Sequence, residues 1–315
     1  MEKMKAVVYH KKGTPEKLIY SEIEKPQPKD DEVLIKTMAV SLNAADYRSM
    51  KFGIIPKNRI FGADIAGKVE SVGKNIRLFK PGDEVTGELS NVGFGGFAQY
   101  TVAPENALAV KPANLSFEEA SALPLAAVTA LRALRDKGNI QKGQKVLIVG
   151  SSGGVGIYSV QLAKHFGAEV TAVCSTRNVE QTSSIGADTI IDYTKEDFTK
   201  GIQRYDLILA VNGNHPLSAY KRLLNKNGIY VMVGGAMTQI IKSLLLGKIM
   251  SFGSKKMLTL SAKSNQKDLE LIMKFAEQGI IRALIERSYS LDKTAEAMKY
   301  AAEGHARGKV VINVE

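Results

Sequence analysis

The sequence is poor in the residues that build disulfides and metal sites. It contains one cysteine, Cys174, and four histidines in 315 residues. A single thiol cannot form a disulfide within the chain, which favours a reducing compartment, and it excludes a zinc site made of several thiolates. His10, His165, His215 and His305 are scattered, with no pair four residues apart. We therefore predict that the chain binds no metal.

A long hydrophobic segment is also missing. The most apolar helical stretch, at about residues 240–250, is interrupted by Lys242 and Lys248 and is too short to cross a bilayer. The first residues lead directly into a predicted strand and show no signal-peptide pattern. We predict a cytoplasmic protein with no membrane partner.

Tryptophan is absent, and no aromatic-rich basic stripe of the kind that binds single-stranded nucleic acid is visible. The formal net charge is nevertheless +11, which attracts anions such as a phosphorylated cofactor, a nucleic acid or an acidic membrane. Because the Lys and Arg residues are spread along the chain, we expect an ordinary basic surface and no nucleic-acid partner.

The hydrophobic pattern changes twice along the chain. Short strands at residues 5–9, 32–40, 65–72 and 99–102 are separated by Gly, Pro and Asp, which is typical of a barrel-like β domain. A capped helix is predicted to start at Ser116, with Glu119 completing the capping box. From Lys145 apolar strands alternate with helices, as in a parallel sheet covered on both faces. Two amphipathic helices and a strand at 309–313 close the chain.

The strongest motif is a glycine-rich turn. A buried strand, 146–149, leads into Gly150-Ser151-Ser152-Gly153-Gly154-Val155-Gly156, which opens a helix. This is the setting of a dinucleotide fingerprint, in which glycine lets the backbone approach a pyrophosphate and the helix N-terminus stabilises the anion. Ser151 replaces the first glycine. The motif also fits the nucleophile elbow of hydrolases, with Ser152 as nucleophile and His215 or His305 downstream, or a tight turn that binds nothing.

The residues after the second α/β strand favour NADPH over NADH. NAD sites usually place an acid there for the ribose hydroxyl, but here Ser175-Thr176-Arg177 follows. The two hydroxyls can donate to a 2′-phosphate and Arg177 can pair with it. The alternative is that Arg177 is a solvated surface residue.

Several motifs together resemble the zinc-free quinone oxidoreductase branch of the medium-chain dehydrogenase/reductase superfamily. They are Ser41-Leu42-Asn43-Ala44-Ala45-Asp46, Phe61-Gly62-Ala63-Asp64-Ile65-Ala66-Gly67, Phe79-Lys80-Pro81-Gly82-Asp83-Glu84-Val85, Leu123-Pro124-Leu125-Ala126-Ala127-Val128-Thr129-Ala130, the glycine loop and Gly308-Lys309-Val310-Val311-Ile312. The resemblance implies an α/β fold, with a doubly wound Rossmann sheet at 121–260 inserted in a GroES-like β-rich catalytic domain formed by 1–120 and 261–315. It also implies an active-site cleft between the domains, and a homodimer.

The resemblance further implies which residues act. Zinc-dependent relatives carry Gly-His-Glu where this chain has Gly62-Ala63-Asp64, so the histidine ligand is absent, and reduction of a quinone or enone is expected over alcohol oxidation. The catalytic candidates are Asn43 beside the nicotinamide, Tyr47 as a proton donor that would need help, and Asp46 as an anchor. The cofactor-binding candidates are Thr129, Ser152, Gly153, Gly154, Val155, Ser175, Thr176, Arg177, Tyr193, Asn212, Gly234, Gly235, Phe252 and Ser254.

The predicted function is therefore a zinc-independent, NADPH-dependent oxidoreductase that transfers hydride to a quinone or another α,β-unsaturated carbonyl. Two alternatives stay open at this point. One is a 2-alkenal or enone reductase with little quinone activity. The other is a non-catalytic NADPH-binding sensor or nucleic-acid-binding protein.

Overall fold

The computed structural model describes residues 2–10, 13–56, 58–261, 265–304 and 306–314. The chain divides into two compact units, one formed by Met1–Val128 with Lys263–Glu315 and the other by Thr129–Ala262. The first is β-rich and the second is α/β with a parallel sheet, so the predicted fold class is confirmed. The predicted domain boundaries, after residues 120 and 260, stay predictions.

In the β-rich unit, some strands alternate between buried and exposed residues and others are buried along most of their length. Its elements before the α/β unit are β1 (Lys3–Tyr9), β2 (Leu18–Glu24), β3 (Glu32–Ser41), α1 (Ala44–Lys51), β4 (Asp64–Val72), β5 (Glu84–Glu88), β6 (Tyr100–Pro104), β7 (Leu108–Val110), α2 (Phe117–Ser121) and α3 (Pro124–Arg132), whose last residues belong to the α/β unit.

Strand β3 is the centre of the main sheet in this unit. The strand order is β14-β15-β3-β4-β5-β7, and β6 also pairs with β3, while β1 and β2 form a separate antiparallel pair. The last residue of β3, Ser41, is paired with Asp64 of β4 on one side and with Val311 of β15 on the other. The residues that follow β3 therefore lie between two neighbouring strands.

The α/β unit alternates strands and helices as the sequence predicts. Its elements are β8 (Lys145–Val149), α4 (Gly154–His165), β9 (Glu169–Cys174), α5 (Val179–Ser184), β10 (Thr189–Asp192), β11 (Tyr205–Ala210), α6 (Leu217–Leu223), β12 (Leu224–Met232), α7 (Met237–Met250) and β13 (Lys256–Thr259). The chain then returns to the β-rich unit through α8 (Gln266–Glu277), β14 (Ile285–Ser290), α9 (Thr294–Ala302) and β15 (Lys309–Asn313).

All six strands of the α/β sheet pair in parallel, in the order β10-β9-β8-β11-β12-β13. The central strands β8 and β11 are buried almost throughout, because helices cover both faces. The order reverses direction between β8 and β11, and open α/β sheets bind ligands at the carboxyl edge of such a switch point. The glycine loop lies at this edge.

Two features differ from the sequence prediction. The capped helix predicted to start at Ser116 ends at Ser121, and a separate helix, α3, begins at Pro124, since a proline is favoured at the first position of a helix. Strands β2, β5, β7, β13 and β14 were not predicted. Strand β2 alternates with glutamates and has only Leu18 buried, so its local pattern is weak. The cap at Ser116 is confirmed, with Glu119 completing the box.

Candidate active site

The glycine loop of the α/β unit is shaped by contacts that exclude larger residues. Gly150 has a φ of +87°, and a Cβ atom there would lie 2.7 Å from the Cβ of Asn212. A Cβ atom on Gly156 would overlap the carbonyl oxygen of Gly150. Glycine at these two positions therefore lets the loop fold tightly and lets α4 pack against the end of β8.

Gly153 has a different surrounding, which fits an anionic ligand. A Cβ atom on Gly153 would meet only one atom within 4 Å, the Gly150 oxygen at 3.8 Å. Gly153 is the N-cap of α4, and Gly154 and Val155 begin that helix, whose first turn contains no acidic residue. The first N–H groups of a helix have no partner within the helix and favour negative charge. The open space and the unpaired donors fit a dinucleotide pyrophosphate.

A cavity of about 510 Å³ lies beside this loop, within the α/β unit. Two predicted cofactor residues, Tyr193 and Asn212, line it together with Gly150. Asn212 follows β11, and its neighbour Gly213 forms a bridge with Gly235, so the predicted pair Gly234 and Gly235 is brought next to Asn212. The cavity lining also includes residues not predicted as cofactor ligands: Thr194, Lys195, Glu196, Asp197, Phe198, Asn214 and His215.

At the end of β9, Ser175, Thr176 and Arg177 lie in a short turn as predicted, but an acid lies beside them. The Thr176 hydroxyl donates to Asp192 of β10 over 2.5 Å. Asp192 also accepts the hydroxyl hydrogen of Thr194, and Lys195 lies 3.7 Å away. Hydrogen bonds, first of all that from Thr176, hold the pKa of Asp192 at about 2. The hydroxyl hydrogen of Thr176 is thus engaged with Asp192, and the role of Thr176 toward a phosphate stays a prediction.

The side-chain amide of Asn178 holds both Ser152 and Ser175 at the carboxyl edge of the parallel sheet. Asn178 Nδ2 donates to Ser152 Oγ over 2.9 Å and to Ser175 Oγ over 3.1 Å. Both hydroxyls thus accept and keep their own hydrogen for a ligand. His215 packs edge-on against Phe198, with ring centroids 4.8 Å apart, while His305 lies outside the described residues. Ser152 has a structural partner here, and no histidine–serine contact among the described residues supports the hydrolase reading.

Three further predicted cofactor residues lie apart from this group. Thr129 is a buried residue of α3. Phe252 and Ser254 follow α7, where both are exposed, Phe252 to 92%. Their roles stay predictions.

In the β-rich unit, the predicted catalytic residue Asn43 belongs to a buried polar cluster, here called the Asn43 cluster, of Asn43, Asp46, Asp64 and Lys309. Asn43 Oδ1 accepts from Lys309 Nζ over 2.7 Å, and Asn43 Nδ2 donates to Asp64 over 2.8 Å and to the Ser41 carbonyl over 3.2 Å. Asn43 is 8% exposed, and the other three are at most 2% exposed.

Asp46 anchors the start of α1. Its carboxylate accepts the N–H of Asn43 over 2.8 Å and the N–H of Gly62 over 3.1 Å. Complete burial nevertheless raises the pKa of Asp46 to about 7, because desolvation outweighs these bonds. These contacts give Asp46 a structural role.

Asp64 and Lys309 are two buried groups of opposite charge. Burial raises the pKa of Asp64 and lowers the pKa of Lys309, while the attraction between the two charges opposes both shifts. Asp64 also accepts the N–H of Leu125 at the start of α3. The pair fixes both ends of the Asn43 amide, because each end of that amide meets one member of the pair.

Tyr47, the predicted proton donor, is half-buried in the same unit. Burial raises the pKa of its phenol, which makes it a weaker acid than a free tyrosine. This environment gives none of the help that proton donation by Tyr47 would need.

Asp64 and Lys309 belong to motifs named in the sequence analysis, but no role was predicted for either residue. Each stands alone in an apolar run, Asp64 before Ile65-Ala66 and Lys309 before Val310-Val311-Ile312. A single charge within a buried strand is the signal that indicates a partnered, buried group. Asn178, Asp192 and Lys195 carry no comparable signal, because turns are commonly polar.

Comparisons with known proteins agree with this architecture. A family model described as "Alcohol dehydrogenase GroES-like domain" matches residues 29–113, and one described as "Zinc-binding dehydrogenase" matches residues 185–312. The chain is 32% identical to the chloroplast envelope quinone oxidoreductase homolog of Arabidopsis thaliana, over 94% of this chain and 93% of that protein. The chain belongs to the quinone oxidoreductase branch of the medium-chain dehydrogenase/reductase superfamily. It is an oxidoreductase that uses a nicotinamide cofactor.

Two further proteins are similar to this oxidoreductase. One is the "NADPH-dependent alkenal/one oxidoreductase, chloroplastic" of Arabidopsis thaliana, at 33% identity over 99% of this chain and 80% of that protein. The other is the solved quinone oxidoreductase from Coxiella burnetii, with a TM-score of 0.89, 28% identity and full coverage of both chains.

Neither a metal-binding cluster nor a membrane-spanning helix is found among the described residues. In residues 2–10, 13–56, 58–261, 265–304 and 306–314, no group of three or more His, Cys, Asp or Glu side chains could hold a metal ion. Within the same part of the chain, no helix is long and apolar enough to cross a membrane.

Proposed function

We propose that this oxidoreductase binds NADPH and reduces a quinone or another α,β-unsaturated carbonyl without a metal. The observation that carries the proposal is the glycine loop, with open space at Gly153, unpaired donors at the start of α4 and the adjoining cavity of about 510 Å³. A metal-free reaction is supported by Ala63, which stands where zinc-dependent relatives have a histidine ligand.

The preference for NADPH is argued from charge at the end of β9. Arg177 follows this strand where NAD sites usually have an acid, and Ser175 keeps a hydroxyl hydrogen that it can donate. Lys195, which lines the cavity, is a second cation. Acids are present as well: Glu196 and Asp197 line the cavity, and Asp192 lies beside Thr176, where its oxygens already accept from Thr176 and Thr194. A similar reductase carries NADPH in its name.

When bound, NADPH supplies the hydride. The chain's task is to hold and orient the reactants. Asn43 uses both amide hydrogens on Asp64 and Ser41, but Oδ1 accepts only one bond, from Lys309. We therefore propose that Asn43 accepts a hydrogen bond from a ribose hydroxyl; it cannot donate to a substrate carbonyl without losing a buried partner. The proton that completes the reduction comes from solvent, because burial weakens Tyr47 as an acid.

Calorimetric titration of the purified chain with NADPH and NADH tests the cofactor proposal. We expect the wild type to bind NADPH more tightly than NADH. Arg177→Ala should lower the affinity for NADPH about tenfold or more and leave the affinity for NADH unchanged. Arg204→Ala is the matched control, since Arg204 precedes β11 at the opposite edge of the sheet. Equal affinities for both nucleotides would remove the NADPH preference alone, and no binding of either would remove the cofactor site.

Steady-state rates on a panel of quinones, alkenals and enones test the substrate class. Turnover of quinones supports the proposal as stated. Turnover of alkenals and enones without turnover of quinones supports the reductase alternative, an activity that a similar protein carries in its name. Tight NADPH binding with no turnover of any acceptor would leave a non-catalytic sensor.

A further inference from the structure

A second cavity, of about 300 Å³, lies within the β-rich unit and shares no residue with the cavity beside the glycine loop. Its lining combines one carboxyl group, four side-chain amides and four apolar side chains, and no lysine or arginine is among the described lining residues. The volume is at the lower end of the range for small-ligand sites. The apolar residues are Val92, Ala107, Val128 and Leu269.

The carboxyl group in this lining belongs to Glu88, the last residue of β5, which is buried to within 4% of its surface. Its Oε1 accepts the N–H of Ser90 over 2.7 Å, and its Oε2 accepts from Asn91 Nδ2 over 3.1 Å. No cation forms an ion pair with Glu88 within the described part of the chain. Buried charges in proteins are usually paired, so Glu88 favours a ligand of the opposite charge.

A second acid lies close to Glu88 on the neighbouring strand. Asp64 of β4 is opposite Glu88 in the pairing of β4 with β5, and Asp64 is fully buried. Burial raises the pKa of Asp64, the charge of Lys309 lowers it, and the charge of Glu88 raises it further. A cation in the cavity would relieve the repulsion between the two acids, whereas an anion would add to it.

Two of the amides in the lining leave an oxygen atom for a ligand. Gln266 Nε2 donates to the carbonyls of Glu105 over 3.1 Å and Leu108 over 3.0 Å, which uses both of its hydrogens and leaves Oε1 as an acceptor. Asn91 donates from Nδ2 to Glu88, which leaves its Oδ1 as an acceptor. Together with Glu88 the lining offers three accepting groups, and an ammonium group has three donors.

We propose that this cavity binds the ammonium group of a small alkyl amine, with Glu88, Asn91 and Gln266 accepting its hydrogens. The hydrocarbon part of the ligand contacts the apolar residues, of which Val128 and Leu269 are each 2% exposed or less. A carboxylate or phosphate ligand would meet Glu88 with a charge of the same sign. A neutral alcohol would leave the charge of Glu88 without a counterion. The proposal concerns ligand binding alone and does not depend on the proposed hydride transfer.

Calorimetric titration of the full chain with n-pentylammonium, 1-pentanol and pentanoate tests the proposal, at neutral pH and constant ionic strength, without NADPH or an acceptor. The three probes are similar in length and differ in charge. We expect n-pentylammonium to bind at least about tenfold more tightly than 1-pentanol, and pentanoate not to bind. The ammonium probe should also raise the temperature of thermal unfolding, because a ligand that binds only the folded state stabilises it.

Two variants and a control place the binding in the cavity. Glu88→Gln should weaken binding of n-pentylammonium about tenfold or more, because the charge is lost. Ala107→Leu, at a half-buried lining position, should also weaken it about tenfold or more by filling the cavity while Glu88 is kept, and it decides the question if Glu88→Gln does not fold by circular dichroism. Glu270→Gln, which changes an exposed acid of α8 outside the lining, is the control and should bind like the wild type. Equal affinities for n-pentylammonium and 1-pentanol, or unchanged binding in a folded Glu88 or Ala107 variant, would overturn the proposal.

Discussion

Lys309 Nζ lies 2.7 Å from Asn43 Oδ1, although 266 residues separate the two in the chain. They meet because β15 pairs with β3, so that Val311 lies opposite Ser41 and the Leu42 N–H donates to the carbonyl of Val310. The last strand of the chain thus completes the surroundings of a residue near its start.

Replacing Lys309 tests how far this buried pair holds the β-rich unit together. Lys309→Met removes the charge and leaves Asp64 buried without its partner, so we expect the free energy of unfolding to fall by about 3 kcal/mol. Urea unfolding measures it. Lys36→Met, an exposed lysine of β3, is the control and should change stability by less than about 0.5 kcal/mol.

A double-mutant cycle separates the interaction energy of Asp64 with Lys309 from the packing that is lost when Lys309 is replaced. Adding Asp64→Asn to Lys309→Met should recover at least about 1 kcal/mol, because the uncompensated charge is removed. If the two losses simply add, the two side chains are not energetically coupled and the pair does not hold the cluster.

The raised pKa of Asp46 predicts a pH dependence of stability. Between its ordinary value of 3.8 and about 7, the folded chain keeps a proton that the unfolded chain has lost. The folded state then binds more protons, so the free energy of unfolding contributed by this group falls as pH rises, by at most about 1.4 kcal/mol per pH unit.

Asp46→Asn should remove this slope. The variant should also be less stable at every pH, because an amide nitrogen would face the N–H of Asn43 or Gly62. Urea unfolding between pH 5 and pH 8 (about one unit per step) compares the two chains. Parallel pH profiles would show that Asp46 is already ionised when buried.

The two glycines of the loop should respond differently to alanine. Gly153→Ala places a methyl group in open space, so we expect stability to change by less than about 1 kcal/mol but nucleotide affinity to fall about tenfold or more as the pyrophosphate is displaced. Calorimetry and thermal unfolding measure the two effects. Unchanged affinity would place the nucleotide elsewhere.

Gly156→Ala serves as the structural contrast. Its Cβ atom would overlap the Gly150 oxygen, so we expect a loss of stability of about 1–3 kcal/mol from the overpacked contact. A stability equal to that of the wild type would mean that the loop relaxes around the methyl group.

Asp192→Asn tests the acid that lies beside the proposed 2′-phosphate position. The change removes a negative charge and releases the Thr176 hydroxyl, so we expect NADPH to bind several-fold more tightly, with little change for NADH. Titration of both nucleotides measures the effect, and Asp136→Asn, an acid paired with Arg135, is the control. Weaker NADPH binding would show that Asp192 is needed to hold the β9 turn.

Local patterns in the sequence were sufficient for the parallel α/β sheet, the glycine loop and the cap at Ser116. Each of these depends on residues that are near neighbours in the chain: an apolar strand, a turn of glycines, or a serine three residues before a glutamate. The metal-free interpretation likewise depended on residue types, since Ala63 cannot ligate zinc. Strands with weak alternation, such as β2, were missed because their burial comes from partners distant in sequence.

Only the tertiary structure decided how distant polar groups pair. The sequence placed no acid after β9, yet parallel pairing sets Asp192 of β10 opposite Cys174 of β9, within reach of Thr176. Lys309 and Asp64 lie in separate apolar runs and meet because β3 lies between their strands. The apolar composition of α7 does not reveal which of its residues are buried, and packing on β13 buries Gln239, Ser243 and Gly247. Composition and local order fix which elements form, whereas burial and pairing depend on which surfaces come together when the whole chain packs.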